Sequence, residues 1–311
     1  MKENEKKMEL LGNAPVPRAL LALGLPTMIG MMINALYNLV DAYFVGGLGT
    51  SQMGAITVAF PLGQVVVGLG LLFGNGAASC LSRLLGRGDR ENANRVASTA
   101  LYSSIFVGAL VISCCVIWLE PILRRLGASD SVMPYALSYT GIYITCSIFN
   151  VFNVTMNNIV SSEGAAKTTM CVLLAGAVLN LVLDPIFIYG LDLGVAGAAI
   201  ATGISQCFST LVYLAYILGK RSVFRFSIRD FRLSGNIMSE ILKIGIPTMA
   251  FQLLTSLSMS MINDGAREYG DYALAAMGAV TKIMSVGSLM VFGVLKGLQP
   301  IAGYSYGSKK Y

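Results

Sequence analysis

Long apolar runs are the feature that most constrains the fold of this chain. Each is near or above the roughly 20 residues that a helix needs to cross a bilayer. They occupy residues 19–45, 53–79, 96–119, 133–158, 168–190, 195–219, 239–263 and 273–298, numbered here as spans 1 to 8. None shows the alternation typical of a barrel strand. Because backbone groups in lipid must be paired within the segment, we expect an all-α integral membrane protein with about eight transmembrane helices.

Composition agrees with a membrane protein. The 311 residues are 55% hydrophobic and 12% charged, whereas soluble domains carry about 25% charged residues. The chain has no histidine, which removes the commonest proton shuttle and metal ligand, so proton chemistry must use carboxylates. The six cysteines have no metal-binding spacing and are interpreted as small apolar residues. With no HExxH or GxSxG motif, an enzyme is not expected.

The distribution of basic residues predicts the orientation. Most of the 22 lysines and arginines lie in the N-terminal tail, in the connections after spans 2, 4 and 6, and at the C-terminal end. Only Arg124, Arg125 and Arg267 lie in connections on the opposite side. The positive-inside rule therefore places both termini in the cytoplasm. The net charge of +6 is interpreted as a topology signal, and nucleic acid is not an expected partner.

An internal repeat predicts two parallel lobes. The motif LGLPTM at 23–28 recurs as IGIPTM at 244–249, and MGAIT at 53–57 recurs as MGAVT at 277–281. Spans 1 and 2 therefore resemble spans 7 and 8, as in transporters built from parallel repeats. The expected organisation is a complete six-helix N-lobe, a basic cytoplasmic linker and a partial C-lobe with two helices. Their predicted ranges are 1–218, 219–236 and 237–311, respectively.

Two acidic residues lie well inside predicted spans. Asp41 is in span 1 and Asp184 in span 5, although a carboxylate at the bilayer centre costs about 2.5 to 3.5 kcal/mol. Asn180 precedes Asp184 by one helical turn, and Thr202 lies in span 6. Two carboxylates in one pocket cannot both ionise comfortably, so a proton or a monovalent cation would neutralise one. Sodium prefers oxygen ligands, which these four residues offer. We therefore predict an ion-coupling site for sodium or protons and no other cofactor.

Other polar residues within the spans are candidates to line a cavity inside the first six helices. They are Asn34, Asn38, Gln64, Asn153, Asn157 and Gln206, with Lys282 of span 8 facing a central cleft. For any single amide the alternative is an interhelical hydrogen bond that merely holds helices together. For the lysine the alternative is an ammonium that reaches the membrane surface.

Prolines inside the spans are candidate bending points, because proline removes an intrahelical hydrogen bond. They are Pro26, Pro61, Pro185 and Pro247. A static kink is the alternative for each. Pro185 follows Asp184 directly and should free the carbonyl of Leu181 for the pocket.

Four stretches together resemble the multidrug and toxic compound extrusion (MATE) family of bacterial type. They are GLPTMIGMMINALYNLVDAYFVGGLGTSQMGAITVAFPL (24–62), GNGAASCLSRLLGRGDRENANRV (74–96), NLVLDPIFIYGLDLGVAGAAIATGISQ (180–206) and GLQPIAGYSYGSKKY (297–311).

The resemblance implies two six-helix lobes around a cleft in the bacterial cytoplasmic (inner) membrane. It implies an antiporter that works by alternating access, admitting sodium or protons while it expels organic, often cationic, drugs. The family's N-lobe ion site carries over to Asp41, Asn180, Asp184 and Thr202. The implied partners are these small molecules and the lipid bilayer, with no obligatory protein partner.

The chain is shorter than that family pattern, since it stops soon after span 8. A C-terminally truncated transporter is therefore expected. One alternative is a flippase for a lipid-linked saccharide, which would need several cavity cations where spans 1, 2, 7 and 8 offer at most Lys282 and Lys296. The other alternative is a truncated membrane protein that does not transport.

Overall fold

The computed structural model describes residues 2–232, 234–267 and 271–309, and helices build nearly all of this part. The α-helices are α1 (Lys2–Gly12), α2 (Val16–Gly46), α3 (Thr50–Arg87), α4 (Arg90–Ile117), α5 (Leu119–Arg125), α6 (Met133–Ser162), α7 (Ala166–Pro185), α8 (Gly194–Leu218), α9 (Gly235–Arg267) and α10 (Asp271–Ser308). A π-helical turn, Ile186–Gly190, extends α7, and a 3-10 turn, Ile228–Asp230, lies before α9.

Each predicted span falls on one long helix, so the expectation of an all-α protein is confirmed. Six helical stretches are long and apolar enough to cross a membrane: Val16–Gly46, Ser51–Arg87, Arg90–Ile117, Ala166–Gly190, Gly194–Leu218 and Gly235–Ser258. Crossing by α6 and α10 stays a prediction. The middle of α6 is rich in asparagine, serine and threonine, and much of the helix is buried against its neighbours.

The candidate prolines lie inside helices. Pro26, Pro61 and Pro247 are interior residues of α2, α3 and α9, which continue as helices on both sides. Pro185 differs, because α7 ends there and the backbone widens into the π-helical turn. The predicted helical span over 168–190 is therefore present, with a change to π-helical hydrogen bonding after Pro185. A proline lacks the N–H that an α-helical hydrogen bond needs, which explains why the regular pattern stops at this point.

The centre of the bundle is α6, which packs against α3, α4 and α8. Val151, Met156, Ile159 and Val160 on this helix are fully buried. Full burial is expected to stabilise the bundle by packing rather than by water exclusion alone, since lipid tails are as apolar as these side chains. The polar residues of α6 are thereby held at fixed positions inside the bundle.

Two close helix crossings rely on glycine. A methyl group on Gly297 of α10 would lie 2.4 Å from the Cα atom of Gly24 on α2. A methyl group on Gly245 of α9 would lie 2.0 Å from the carbonyl oxygen of Leu72 on α3. The repeat pairs Gly24 with Gly245, and Gly297 with Phe73, the neighbour of Leu72. The crossing of α2 with α10 therefore corresponds, through the repeat, to the crossing of α9 with α3. The division into two lobes at 1–218 and 237–311 stays a prediction.

The N-terminal segment, interpreted from its sequence as a polar tail, folds as the helix α1. Its Lys7 is 8% exposed, and its Nζ lies 3.4 Å from Oε1 of the fully buried Glu163, between α6 and α7. The same ammonium donates hydrogen bonds to the hydroxyl of Tyr216 at 2.6 Å and to the carbonyl of Arg221 at 2.7 Å. The charge pattern alone did not reveal this contact because its partners are more than 150 residues away.

The contacts that α9 and α10 make with α2 and α3 concentrate at the end of the bundle that carries α1. The glycine crossings lie there, and Gln252 of α9 donates a hydrogen bond of 2.5 Å to Gln64 near the middle of α3. Farther along α9, Leu254, Leu257 and Met261 are exposed by 63%, 56% and 67%. The described contacts that α9 and α10 make with α2 and α3 therefore lie mostly toward the α1 end.

Candidate functional site

An intramembrane cluster forms where α7 meets α8. Asn180 and Asp184 lie one turn apart on α7, and each is 1% exposed. The Nδ2 of Asn180 donates to Oδ1 of Asp184 at 3.2 Å and to Oγ1 of Thr202 on α8 at 3.4 Å. The helical spacing i, i+4 places the amide directly over the carboxylate, and the amide thereby joins two helices.

Asp41 of α2 completes the predicted set. Its carboxyl group lies close enough to the carboxyl group of Asp184 for the two charges to interact. Two carboxylates in one buried site do not both ionise comfortably, so a proton or a cation would neutralise one of them. The structure therefore brings Asp41, Asn180, Asp184 and Thr202 together, as the sequence predicted.

Three buried oxygens in this cluster receive no hydrogen bond within the described chain. They are Oδ1 of Asp41, Oδ1 of Asn180 and Oδ2 of Asp184. Buried polar atoms normally have partners, and the exceptions often mark a site for an ion or a proton. Two carboxylate oxygens and one amide oxygen suit a hard monovalent cation. The same donor set can hold a proton between the two carboxyl groups.

Three tyrosines lie around the cluster, and none of them was among the site residues predicted from the sequence. The hydroxyl of Tyr37 on α2 lies close to Thr202. Tyr139 and Tyr143 on α6 stack with ring centroids 5.7 Å apart and planes 10° apart, and both lie close to Asp41. Tyr37 precedes Asp41 by one helical turn, so the spacing contained a usable signal. The two α6 tyrosines had no such signal, because they reach the cluster only through tertiary packing.

A cavity of about 300 Å³ adjoins the cluster and extends between α2, α3, α6, α7, α8 and α10. Asn180 and Thr202 line one part of it, so the cluster and the cavity share residues. Four of the predicted cavity residues line it: Asn34, Asn153, Asn157 and Gln206. Its volume is at the lower end of the range for small-molecule sites in proteins.

Hydrogen bonds tie the cavity amides to neighbouring helices. Nδ2 of Asn153 donates to the carbonyl and to Oε1 of Gln206, both at 2.8 Å, and Oδ1 of Asn153 accepts from Thr210 at 3.0 Å. Nδ2 of Asn157 donates to the hydroxyl of Tyr213 at 3.2 Å. Asn153 and Gln206 therefore hold α6 and α8 together as well as lining the cavity, and both interpretations of these amides apply.

Three predicted residues are not placed in this cavity. Gln64 faces α9 and accepts a hydrogen bond from Gln252, and it does not line this cavity. Asn38 is exposed and donates to Oδ1 of Asn34 at 2.9 Å on its own helix. The side chain of Lys282 lies outside the described residues. Lys296, which was not among the predicted site residues, lines the cavity instead.

Comparison with known proteins gives one consistent result. A model of the MatE family matches residues 26–186. The chain is 30% identical over 307 residues to the multidrug export protein MepA of Staphylococcus saprophyticus subsp. saprophyticus, which covers 98% of this chain and 68% of the relative.

Solved structures agree with this result. An outward-facing conformation of a multidrug resistance MATE family transporter of the MOP superfamily matches with a TM-score of 0.91 and 31% identity, over 98% of this chain and 68% of that chain. A crystal structure of MATE in the straight conformation matches with a TM-score of 0.93 and 31% identity, over the same shares of the two chains.

Proposed function

Because this chain belongs to the MATE family of multidrug efflux transporters, we propose that it exports amphipathic organic compounds, often cations, in exchange for sodium ions or protons. Family membership makes it a multi-pass membrane transporter, and such transporters are not enzymes. The proposed parts are the coupling to a cation, the antiport and the exported compounds.

One observation carries the coupling proposal. Oδ1 of Asp41, Oδ1 of Asn180 and Oδ2 of Asp184 accept no hydrogen bond within the described chain, although they lie in an apolar bundle. Leaving acceptors without donors in such a place costs free energy that a bound cation or a proton would recover. Sodium would be held by the carboxylates and the amide oxygen, with Thr202 beside them through its bond to Asn180.

The same cluster offers a way to link the ion to the exported compound. Asp41 is on α2 and Asp184 is on α7, so neutralising the two carboxylates removes a repulsion between these helices. Asn180 and Thr202 belong to the cluster and to the cavity wall. A cation that draws the cluster together would therefore change the cavity. The coupling cation and the exported compound would then contact the same helices, and each would contact them differently in the two states. Coupling between two ligands requires such a difference.

The proposed working cycle is alternating access. With both termini in the cytoplasm, the α1 end is the cytoplasmic end, and the contacts that α9 and α10 make there with α2 and α3 would close the cleft on that side. The proposal includes eight membrane-crossing helices, with residues 1–218 as one lobe, residues 219–236 as the linker and residues 237–311 as part of a second lobe. Bending at Pro26 and Pro185 would accompany the change of state.

Reconstitution into vesicles tests the function. An imposed sodium or pH gradient should drive uptake of a fluorescent organic cation by the wild-type protein. Asp184→Asn and Asp41→Asn should each abolish the gradient dependence, because an amide carries no negative charge for a cation or a proton to neutralise. Asp192→Asn is the matched control, since Asp192 is exposed beside α8 and has a φ of 53° that asparagine adopts readily. Gradient-driven transport that survives in both site variants would contradict the assignment.

A further inference from the structure

The cavity contains a charge that the ion cluster does not use. Among the described residues that line it, Lys296 of α10 is the charged one, and the polar residues beside it are neutral amides and hydroxyls. Lys296 reaches the cavity from α10, which with α9 forms the second copy of the repeat. The sequence analysis had predicted a cleft-facing lysine on the same helix, but at Lys282.

The ammonium of Lys296 has one partner in the described chain. Its Nζ donates to Oδ1 of Asn157 at 2.7 Å, and no ion pair of the described residues includes it. An ammonium has three donor hydrogens, and one neutral amide oxygen leaves its charge uncompensated. A partly buried cation without an anion is unfavourable, so an anionic group entering this cavity would gain a strong partner.

Lys296 is separated from the carboxylates of the ion cluster. Its partner Asn157 lies two helical turns along α6 from Asn150, roughly 10 Å at 1.5 Å per residue. Asn150 and Thr202 line a common pocket, which places Asn150 at the level of the cluster. An anion on Lys296 would therefore leave Asp41 and Asp184 available for the coupling cation. Lys296 and the cluster residues Asn180 and Thr202 therefore line different parts of one cavity.

The remaining wall near Lys296 is apolar. Met31, Val67, Leu71, Val172, Leu173 and Leu289 line it. Apolar walls with a small number of placed polar groups are typical of sites for small organic molecules. The walls would bury the hydrocarbon part of a ligand, and Lys296 would set the position of its negative group.

We propose that this cavity is a binding site for amphipathic compounds that carry a carboxylate, with Lys296 as the residue that pairs with it. The inference rests on the proposed export function and specifies a substrate class for it. Among compounds of similar shape, Lys296 would favour those with a negative group, including zwitterions, over purely cationic ones. The competing explanation is a structural hydrogen bond that only joins α10 to Asn157 of α6.

Two dansyl compounds test the site directly. Dansyl-glycine carries a carboxylate, and its methyl ester is the same fluorophore without the charge. Dansyl fluorescence increases in an apolar site, so titration of the purified, detergent-solubilised protein gives both affinities without any transport step. The wild-type protein should bind dansyl-glycine about tenfold more tightly than the ester, as expected for one charge-assisted hydrogen bond.

Variants separate charge from structure. Lys296→Gln keeps a donor for Asn157 and should abolish the tenfold preference, whereas Lys296→Arg keeps the charge and should retain it. Lys243→Gln is the matched control, because Lys243 is an exposed lysine of α9 outside this cavity. Equal affinities for the two compounds in the wild-type protein, or a preference that persists in Lys296→Gln, would overturn the proposal in favour of a structural bond.

Transport distinguishes this proposal from the function on which it rests. If the purified protein prefers dansyl-glycine but vesicles show no gradient-driven export of any compound, the export function fails and the binding site stands. If vesicles export dansylcadaverine, a cation with the same fluorophore, but the purified protein does not prefer dansyl-glycine, the export function stands and the carboxylate site fails.

Discussion

Replacing Lys7 by methionine removes a buried cation from the α1 end of the bundle and leaves its partner Glu163 in place. Removing one member of a buried ion pair typically costs about 3 to 5 kcal/mol. The carboxylate of Glu163 keeps three donors, namely the hydroxyl of Tyr216, the hydroxyl of Ser222 at 2.8 Å and the N–H of Val223 at 2.7 Å. These donors partly stabilise the remaining charge, so we expect a loss near the lower limit, about 3 kcal/mol.

The loss should depend on pH. Burial raises the pKa of Glu163 above its usual range, while Lys7 is the largest opposing influence. A carboxyl group whose pKa is higher in the folded state favours folding when it is protonated, and this stability is lost as the pH rises through the raised pKa. In Lys7→Met the opposing cation is gone. The difference from the wild-type protein should therefore be largest at neutral pH and should shrink as the pH falls.

The assay is unfolding of the detergent-solubilised protein by increasing mole fractions of SDS, followed by circular dichroism at several pH values. Lys6→Met is the matched control, because Lys6 is exposed on the same helix. The double variant Lys7→Met, Glu163→Gln should recover most of the lost stability, since no buried charge remains. A loss below about 1 kcal/mol would be the size of a surface pair. That result, or a loss that does not change with pH, would refute the reasoning.

Two further stability predictions use the same assay. Asp89 caps α4 by accepting from the N–H of Asn92 at 3.1 Å, so Asp89→Ala should cost about 1 kcal/mol. Hydrogen bonds from Asn92 lower the pKa of Asp89, so the wild-type protein should lose this contribution as the pH falls through the lowered pKa, and an alanine variant should show no such loss. Gly245→Ala places a methyl group 2.0 Å from the carbonyl oxygen of Leu72 and should cost about 1 to 3 kcal/mol by separating α9 from α3. Gly287→Ala, with no atom within 4 Å of the added carbon, should change stability little, and equal effects at the two glycines would contradict the tight crossing.

The sequence predicted the ion cluster well because its signal is local. Asp41 and Asp184 stand out in apolar runs, and Asn180 lies one helical turn from Asp184. A charge in an apolar span is costly enough that few explanations compete with function. Single amides carry a much weaker signal, and the partner of Gln64 is not readable from its own helix. Its partner, Gln252, lies 188 positions away along the chain.

The surroundings of lysine side chains were the least predictable feature. Lys7 was grouped with the polar tail, yet it is buried against Glu163. Lys296 lines the cavity, although the repeat had drawn attention to Lys282. A lysine side chain is long and flexible, so its position along a helix does not decide whether the ammonium reaches water or a buried acceptor.

By itself, the sequence determined the helical membrane fold and the two carboxylates that matter most. Both follow from free-energy costs that depend on one segment at a time. Backbone groups in lipid must be paired within their own helix, and a charge inside a span must be moved out of water. Only the tertiary structure decided which side chains meet, including the carboxyl groups of Asp41 and Asp184, the glycine crossings and the place of Lys296 in the cavity. Such contacts join helices far apart in the chain and depend on how side chains of particular shapes pack, so no local pattern in the sequence records them.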